Sequence, residues 1–161
     1  MSPRNQRHTG HDASGPVRLF VDSSAWLALA SPRDQYHAVA ETLFREAVLR
    51  RRALITTNLV VAEVHRLLLF RAGVPAAAHA LNRLEDSPAL TIEFPTVEHH
   101  RVAREWLARL SNHPITYTDA VSFAVMATSR CNAALTFDSD FELAGFPIWR
   151  APTARRRRGR P

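Results

Sequence analysis

Short apolar runs that alternate with segments of helical character restrict this chain to one broad architecture. Val17, Leu19, Phe20 and Val21 supply the first run; residues 53–55, 90–94 and 133–137 supply the next three, and 147–149 read as a last edge strand. Between them lie candidate helices. Residues 25–30 follow the first run directly. Ser31, Pro32 and Asp34 read as cap, first-turn proline and first-turn acid of a helix to about Arg50. Thr56, Thr57 and Asn58 offer caps for a helix over 59–70 that Gly73 stops. Further helices are predicted over 75–85, from Pro95 and Thr96 to Leu110, and over 119–129 with Thr118 as cap. Such alternation predicts an α/β fold, a three-layer α/β/α domain around a mainly parallel sheet. Ligands of these sheets sit beyond the carboxyl ends of the strands.

The chain of 161 residues is long enough for one domain with a substantial core. The reading places that domain at 17–150, between a polar extension at 1–16 and a basic tail at 151–161, both expected to be disordered. All 21 basic residues are Arg, and the formal charge is +6. Between residues 17 and 149, however, thirteen Arg meet fourteen Asp and Glu. The positive excess therefore lies in the flanks, where an Arg-rich tail attracts polyanions such as nucleic acid. The lone cysteine, Cys131, excludes an internal disulfide and any multi-cysteine metal site. No apolar run approaches the roughly 18 residues of a membrane span. Residues 19–30 imitate a signal peptide, but Asp22, Ser23 and Ser24 interrupt them. A cytoplasmic protein is expected.

The acids fall at informative places. Asp22 ends the first apolar run and Asp138 follows the run at 133–137. Asp119 starts a helix, and Glu63 lies within the apolar stretch 59–64. Singly, each is an ordinary turn former, cap or surface acid. Jointly, strand-end carboxylates of a parallel sheet share one rim, and the two helical acids can join them. Clustered carboxylates repel, so such a set is stable only protonated or around a cation. Oxygen-only ligands suit Mg2+ or Mn2+. A dication held there polarises a phosphodiester and acidifies a bound water.

Four segments carry a resemblance: Phe20-Val21-Asp22-Ser23-Ser24, Thr57-Asn58-Leu59-Val60-Val61-Ala62-Glu63, Tyr117-Thr118-Asp119-Ala120 and Leu135-Thr136-Phe137-Asp138-Ser139-Asp140-Phe141. In order and approximate spacing they resemble the acidic motifs of PIN-domain ribonucleases, and the chain is similar in size to VapC-like toxins of bacterial toxin–antitoxin pairs. The resemblance implies that Asp22, Glu63, Asp119 and Asp138 are the catalytic, metal-binding acids. It further implies Mg2+- or Mn2+-dependent endonucleolytic cleavage of RNA, an antitoxin protein as partner, and a homodimer. Asp138 takes precedence over Asp140 because it directly ends the apolar run.

Two other classes stay open at this stage. One is a non-catalytic PIN-like module that binds RNA or protein. The other is a Mg2+-dependent phosphatase of the haloacid dehalogenase type, which wants an acid where this chain has Ser24. No Gly-x-Ser-x-Gly and no Gly-rich phosphate loop occurs. His99 and His100, adjacent on a helix, point about 100° apart and read as solvated residues rather than a chelate. Trp26, Trp106 and Trp149 read as packing anchors.

Overall fold

The computed structural model describes residues 16–150; the predicted extension and the basic tail lie outside the described residues apart from Pro16. Four parallel strands, β1 (Arg18–Val21), β2 (Ala53–Thr57), β3 (Leu90–Glu93) and β4 (Ala133–Leu135), form one sheet in the order β3-β2-β1-β4. Phe20 pairs with Ile55 on one side and Ala134 on the other. Seven helices among the described residues connect them: α1 (Ser23–Ala30), α2 (His37–Leu49), α3 (Asn58–Ala72), α4 (Val74–Glu85), α5 (Val97–Arg109), α6 (Tyr117–Thr128) and α7 (Asp140–Leu143).

The chain steps from β1 outward to β3, then returns past β1 to add β4. Because parallel crossovers are right-handed, this reversal assigns α1 to α4 to one face and α5 with α6 to the other. Packing agrees: α1 meets α2 and α3, α3 meets α4, and α5 meets α6. The three-layer α/β/α arrangement is as the alternation predicts. The reversal also opens a crevice between the carboxyl ends of β1 and β4.

Both sides of the central strands are covered, so they are apolar throughout rather than alternating. Leu19, Phe20, Val21, Ala134 and Leu135 are buried. Helix α6 is buried over eight consecutive residues, from Asp119 to Met126. A ring cluster ties it down: Phe123 meets Phe141 edge-on at 5.0 Å, and Phe141 lies 6.1 Å from Phe20.

Four local expectations need correction. The helix predicted from Ser31 begins at His37. Asp34 Oδ1 accepts the Tyr36 N–H at 2.8 Å, a local bond that competes with the first helical turn. Helix α6 is capped by Thr116 rather than Thr118, with Thr116 and Asp119 exchanging bonds in a capping box. The predicted edge strand at 147–149 is a single parallel bridge between Ile148 and Ala134. Nor are the adjacent histidines merely solvated. His99 completes the α5 capping box with Thr96 and bonds Thr128 Oγ1 at 2.8 Å, and His100 bonds the Tyr117 hydroxyl at 2.6 Å.

Candidate active site

Asp22 follows β1 and caps α1, with its own side chain buried in the β1–β4 crevice. Its Oδ2 accepts three bonds, from Ser24 N at 3.2 Å, Ser24 Oγ at 2.7 Å and Thr136 Oγ1 at 3.0 Å. Its Oδ1 has only a 3.4 Å contact with Ser23 Oγ. The Ser24 and Thr136 hydroxyl oxygens lie 3.1 Å apart, and the Phe137 N–H donates to Ser24 Oγ. These contacts lock the two strand ends together across 114 residues of sequence. Burial raises the Asp22 pKa against the opposing pull of these hydrogen bonds.

Asp119 lies in the first turn of α6 and is buried. Its Oδ2 accepts from Thr116 N at 3.2 Å and Thr116 Oγ1 at 2.5 Å. Burial, with the nearby negative charges of Asp22 and Asp138 adding to it, pushes its carboxyl up to about 6. Asp138 is half-buried in the turn between β4 and α7, and its Oδ1 accepts the Asp140 N–H at 2.9 Å. Asp140 itself has a raised pKa, through desolvation first and then the charges of Asp138 and Asp22, while His113 opposes the shift.

Asp119, Asp138 and Asp140 each bring a carboxylate oxygen to within 4.8 Å of the other two. Asp22 is close enough to raise the pKa of both Asp119 and Asp140. Of the four acids singled out in the sequence, three therefore share one electrostatic site, and Asp140 joins them. Glu63 stands apart from the three-carboxylate group, half-buried on the second turn of α3. That helix leaves the carboxyl end of β2, next to β1, so Glu63 lies toward the same end of the sheet. The hydroxyls of Thr136, Ser24 and Thr116 donate directly to these carboxylates. Thr57 instead caps α3 by accepting the Val60 N–H.

No ion pair among the described residues involves any of the four cleft aspartates. Asp119 and Asp138 each commit one oxygen to the protein's own donors, leaving the other for a ligand, and Asp22 Oδ1 is engaged only by the 3.4 Å contact of Ser23 Oγ. Partly buried, without an ion-pair partner among the described residues and oxygen-only, this donor set fits a hard dication such as Mg2+ or Mn2+.

Comparisons with known proteins give three concordant matches. The family model described as "PIN domain" matches residues 19–147. The 23S rRNA-specific endonuclease VapC20 of Mycobacterium tuberculosis, found in strains CDC 1551 / Oshkosh and ATCC 25618 / H37Rv, is 37% identical over 129 residues, which are 80% of this chain and 95% of the relative. The crystal structure of Mycobacterium tuberculosis VapC20, described as a Sarcin-Ricin loop cleaving toxin, is similar with a TM-score of 0.75 and 34% identity. That match covers 83% of this chain and 99% of the other.

Proposed function

This chain belongs to the PIN-domain family, and on that premise we propose that it is a metal-dependent endoribonuclease, the toxin of a toxin–antitoxin pair. Four carboxylates gathered from three separate segments at the carboxyl end of the sheet carry the reading. Asp22, Asp119 and Asp138, with Asp140 beside them, would hold Mg2+ or Mn2+, and Glu63 is the outer acid of the set. When bound, the ion polarises a phosphodiester oxygen and lowers the pKa of a water molecule.

The chain's own side chains supply positioning. Ser24 and Thr136 fix Asp22 through Oδ2 and so leave Oδ1 as its less engaged oxygen. Thr116 does the same for Asp119 from the other face of the sheet. Held this way, the free oxygens need no reorganisation when the substrate arrives. A flanking hydroxyl, Ser139 or Ser23, can orient water or a phosphate oxygen at the rim.

Ribosomal RNA is the substrate class to test first, since the relative VapC20 is named for 23S rRNA. An antitoxin protein is the expected partner, a homodimer the expected assembly and the cytoplasm the expected compartment. Purified full chain with ribosomal RNA and Mg2+ or Mn2+ is expected to yield discrete fragments. Cleavage should stop on chelation and fall by more than about 100-fold in Asp22→Asn. RNA bound but uncut with either metal, and no difference in Asp22→Asn, would instead identify a non-catalytic binding module.

A further inference from the structure

Beside the carboxylates the structure assigns a nucleotide-binding subsite: Tyr36 stacks a base of single-stranded RNA, and Arg71 binds an adjoining phosphate. The inference rests on the endoribonuclease reading above and names how the substrate is held. A cleft of about 380 Å³ opens next to the aspartates, with Ser24, Asp34, Tyr36, Arg71, Phe137 and Asp138 among its walls. It therefore shares Asp138 with the carboxylate cluster and Ser24 with the Asp22 network.

The aromatic wall is built rather than incidental. The rings of Tyr36 and Phe137 lie parallel, 4.6 Å apart with an interplanar angle of 6°. Phe137 is half-buried against the core and immediately precedes Asp138, so the stack is anchored one residue from the cluster. Tyr36 remains 43% exposed although Phe137 covers one of its faces. The loop that presents it is tied at several points. Asp34 Oδ1 accepts the Tyr36 N–H, Asp34 N donates to Ser31 O at 2.8 Å, and His37 Nδ1 bonds Ala28 O at 2.8 Å. A ring fixed in this manner loses little freedom when a base stacks on it, and any of the four bases can do so.

Arg71, in the last turn of α3, is exposed on the same cleft and makes no ion pair among the described residues. Its guanidinium keeps its forked donors for a planar anion, and phosphate is the anion that RNA supplies. The pairing also has an electrostatic logic. A polyanion approaching four carboxylates is repelled, and a cation on the adjoining wall offsets that repulsion at the point of entry.

Binding and cleavage measured separately test the subsite. The full chain is titrated, with EDTA present so that nothing is cut, into a short single-stranded oligoribonucleotide carrying a fluorescent adenine analogue. Tyr36→Leu keeps an apolar cover over Phe137 but removes the π face; it is expected to weaken binding about 5- to 100-fold and to abolish the quenching that stacking causes. Tyr36→Trp should bind at least as well as the native chain. Arg71→Ala is expected to lower the magnitude of the slope of log affinity against log salt by about 0.7, and Arg71→Lys to restore it. With metal present, Tyr36→Leu should raise KM more than it lowers kcat. Native affinity and quenching in Tyr36→Leu, or an unaltered salt slope in Arg71→Ala, overturns the subsite even if cleavage is normal. Conversely, binding that depends on Tyr36 and Arg71 in a chain that never cuts RNA upholds the subsite and overturns the nuclease reading.

Discussion

At the scale of single residues, the cleft holds one oxygen of Asp22, Asp119 and Asp138 more firmly than the other. The division can be tested at Thr136, whose hydroxyl donates to Asp22 Oδ2 while its methyl packs in the interior. Thr136→Val keeps the shape, removes the donor to Asp22 and also removes the acceptor of the Asp138 N–H. Cleavage should fall about 10- to 100-fold, as for other groups that orient metal ligands. Stability should fall by only about 1 kcal/mol, read from urea unfolding.

The raised carboxyls also set a pH dependence. Asp119 ionises near 6 in the folded protein against 3.8 as the ordinary value, and Asp22 and Asp140 shift in the same direction. Between about pH 4 and pH 6 the native state therefore binds more protons than the unfolded chain. These groups' contribution to stability is fully present below pH 4 and is lost as the pH rises through the folded values. Without divalent ions, Asp119 alone should account for on the order of 2 kcal/mol of that loss. Thermal unfolding of the native chain and of Asp119→Asn over this range should show a shallower decline in the variant. Mg2+ or Mn2+ at about 100 times its Kd should restore about 2.7 kcal/mol at neutral pH, where the carboxylates are charged. Identical pH slopes for the two proteins would contradict the assigned electrostatics.

At the scale of elements, α7 is only four residues long and has no intrinsic stability. What holds Asp140 in the cleft is Phe141, fully buried between Phe20 and Phe123. Phe141→Ala should cost about 3–5 kcal/mol and uncouple α7, so that activity falls further than the loss of folded protein explains. Phe141→Leu should retain most of both; denaturant titration alongside a cleavage assay separates the two effects. The same short helix explains what the sequence did and did not reveal. Asp22 was legible because β1 is apolar up to the residue before it. Asp138 and Asp140 were ambiguous because the apolar run continues to Phe137 while the hydrogen-bonded strand stops at Leu135, so Asp138 falls in the following turn and Asp140 opens α7. Helix α6 was legible, but its cap was not: Thr116 and Thr118 both offer hydroxyls, and the reciprocal Thr116–Asp119 bonds decide between them. At residues 31–36 the sequence carried a helix-start signature, yet Asp34 formed a local turn instead. That misread loop presents Tyr36, an instance of local preference yielding where a surface is shaped for a ligand.

At the scale of the whole molecule, charge is unevenly distributed. Residues 16–150 hold fourteen Arg and fourteen acids, whereas 151–161 hold five Arg and no acid. The body is thus nearly neutral, and the net positive charge lies in segments outside the residues matched to the family. Deleting 151–161 should weaken RNA binding in EDTA and lower the salt slope by up to about 3.5, the contribution of five phosphate contacts on a single strand. An unchanged slope would show that the segment does not touch RNA. Among the described residues no helix is long and apolar enough to cross a membrane.

The return of the chain past β1 has a consequence in time as well as in space. Asp22 is synthesised early, but the strand that pairs with β1 and the acids beyond it come more than 110 residues later. Contacts so distant along the polypeptide close late, because their loop entropy must be overcome first. The carboxylate set of the cleft is therefore complete only once Asp140 has been added and β4 has docked beside β1.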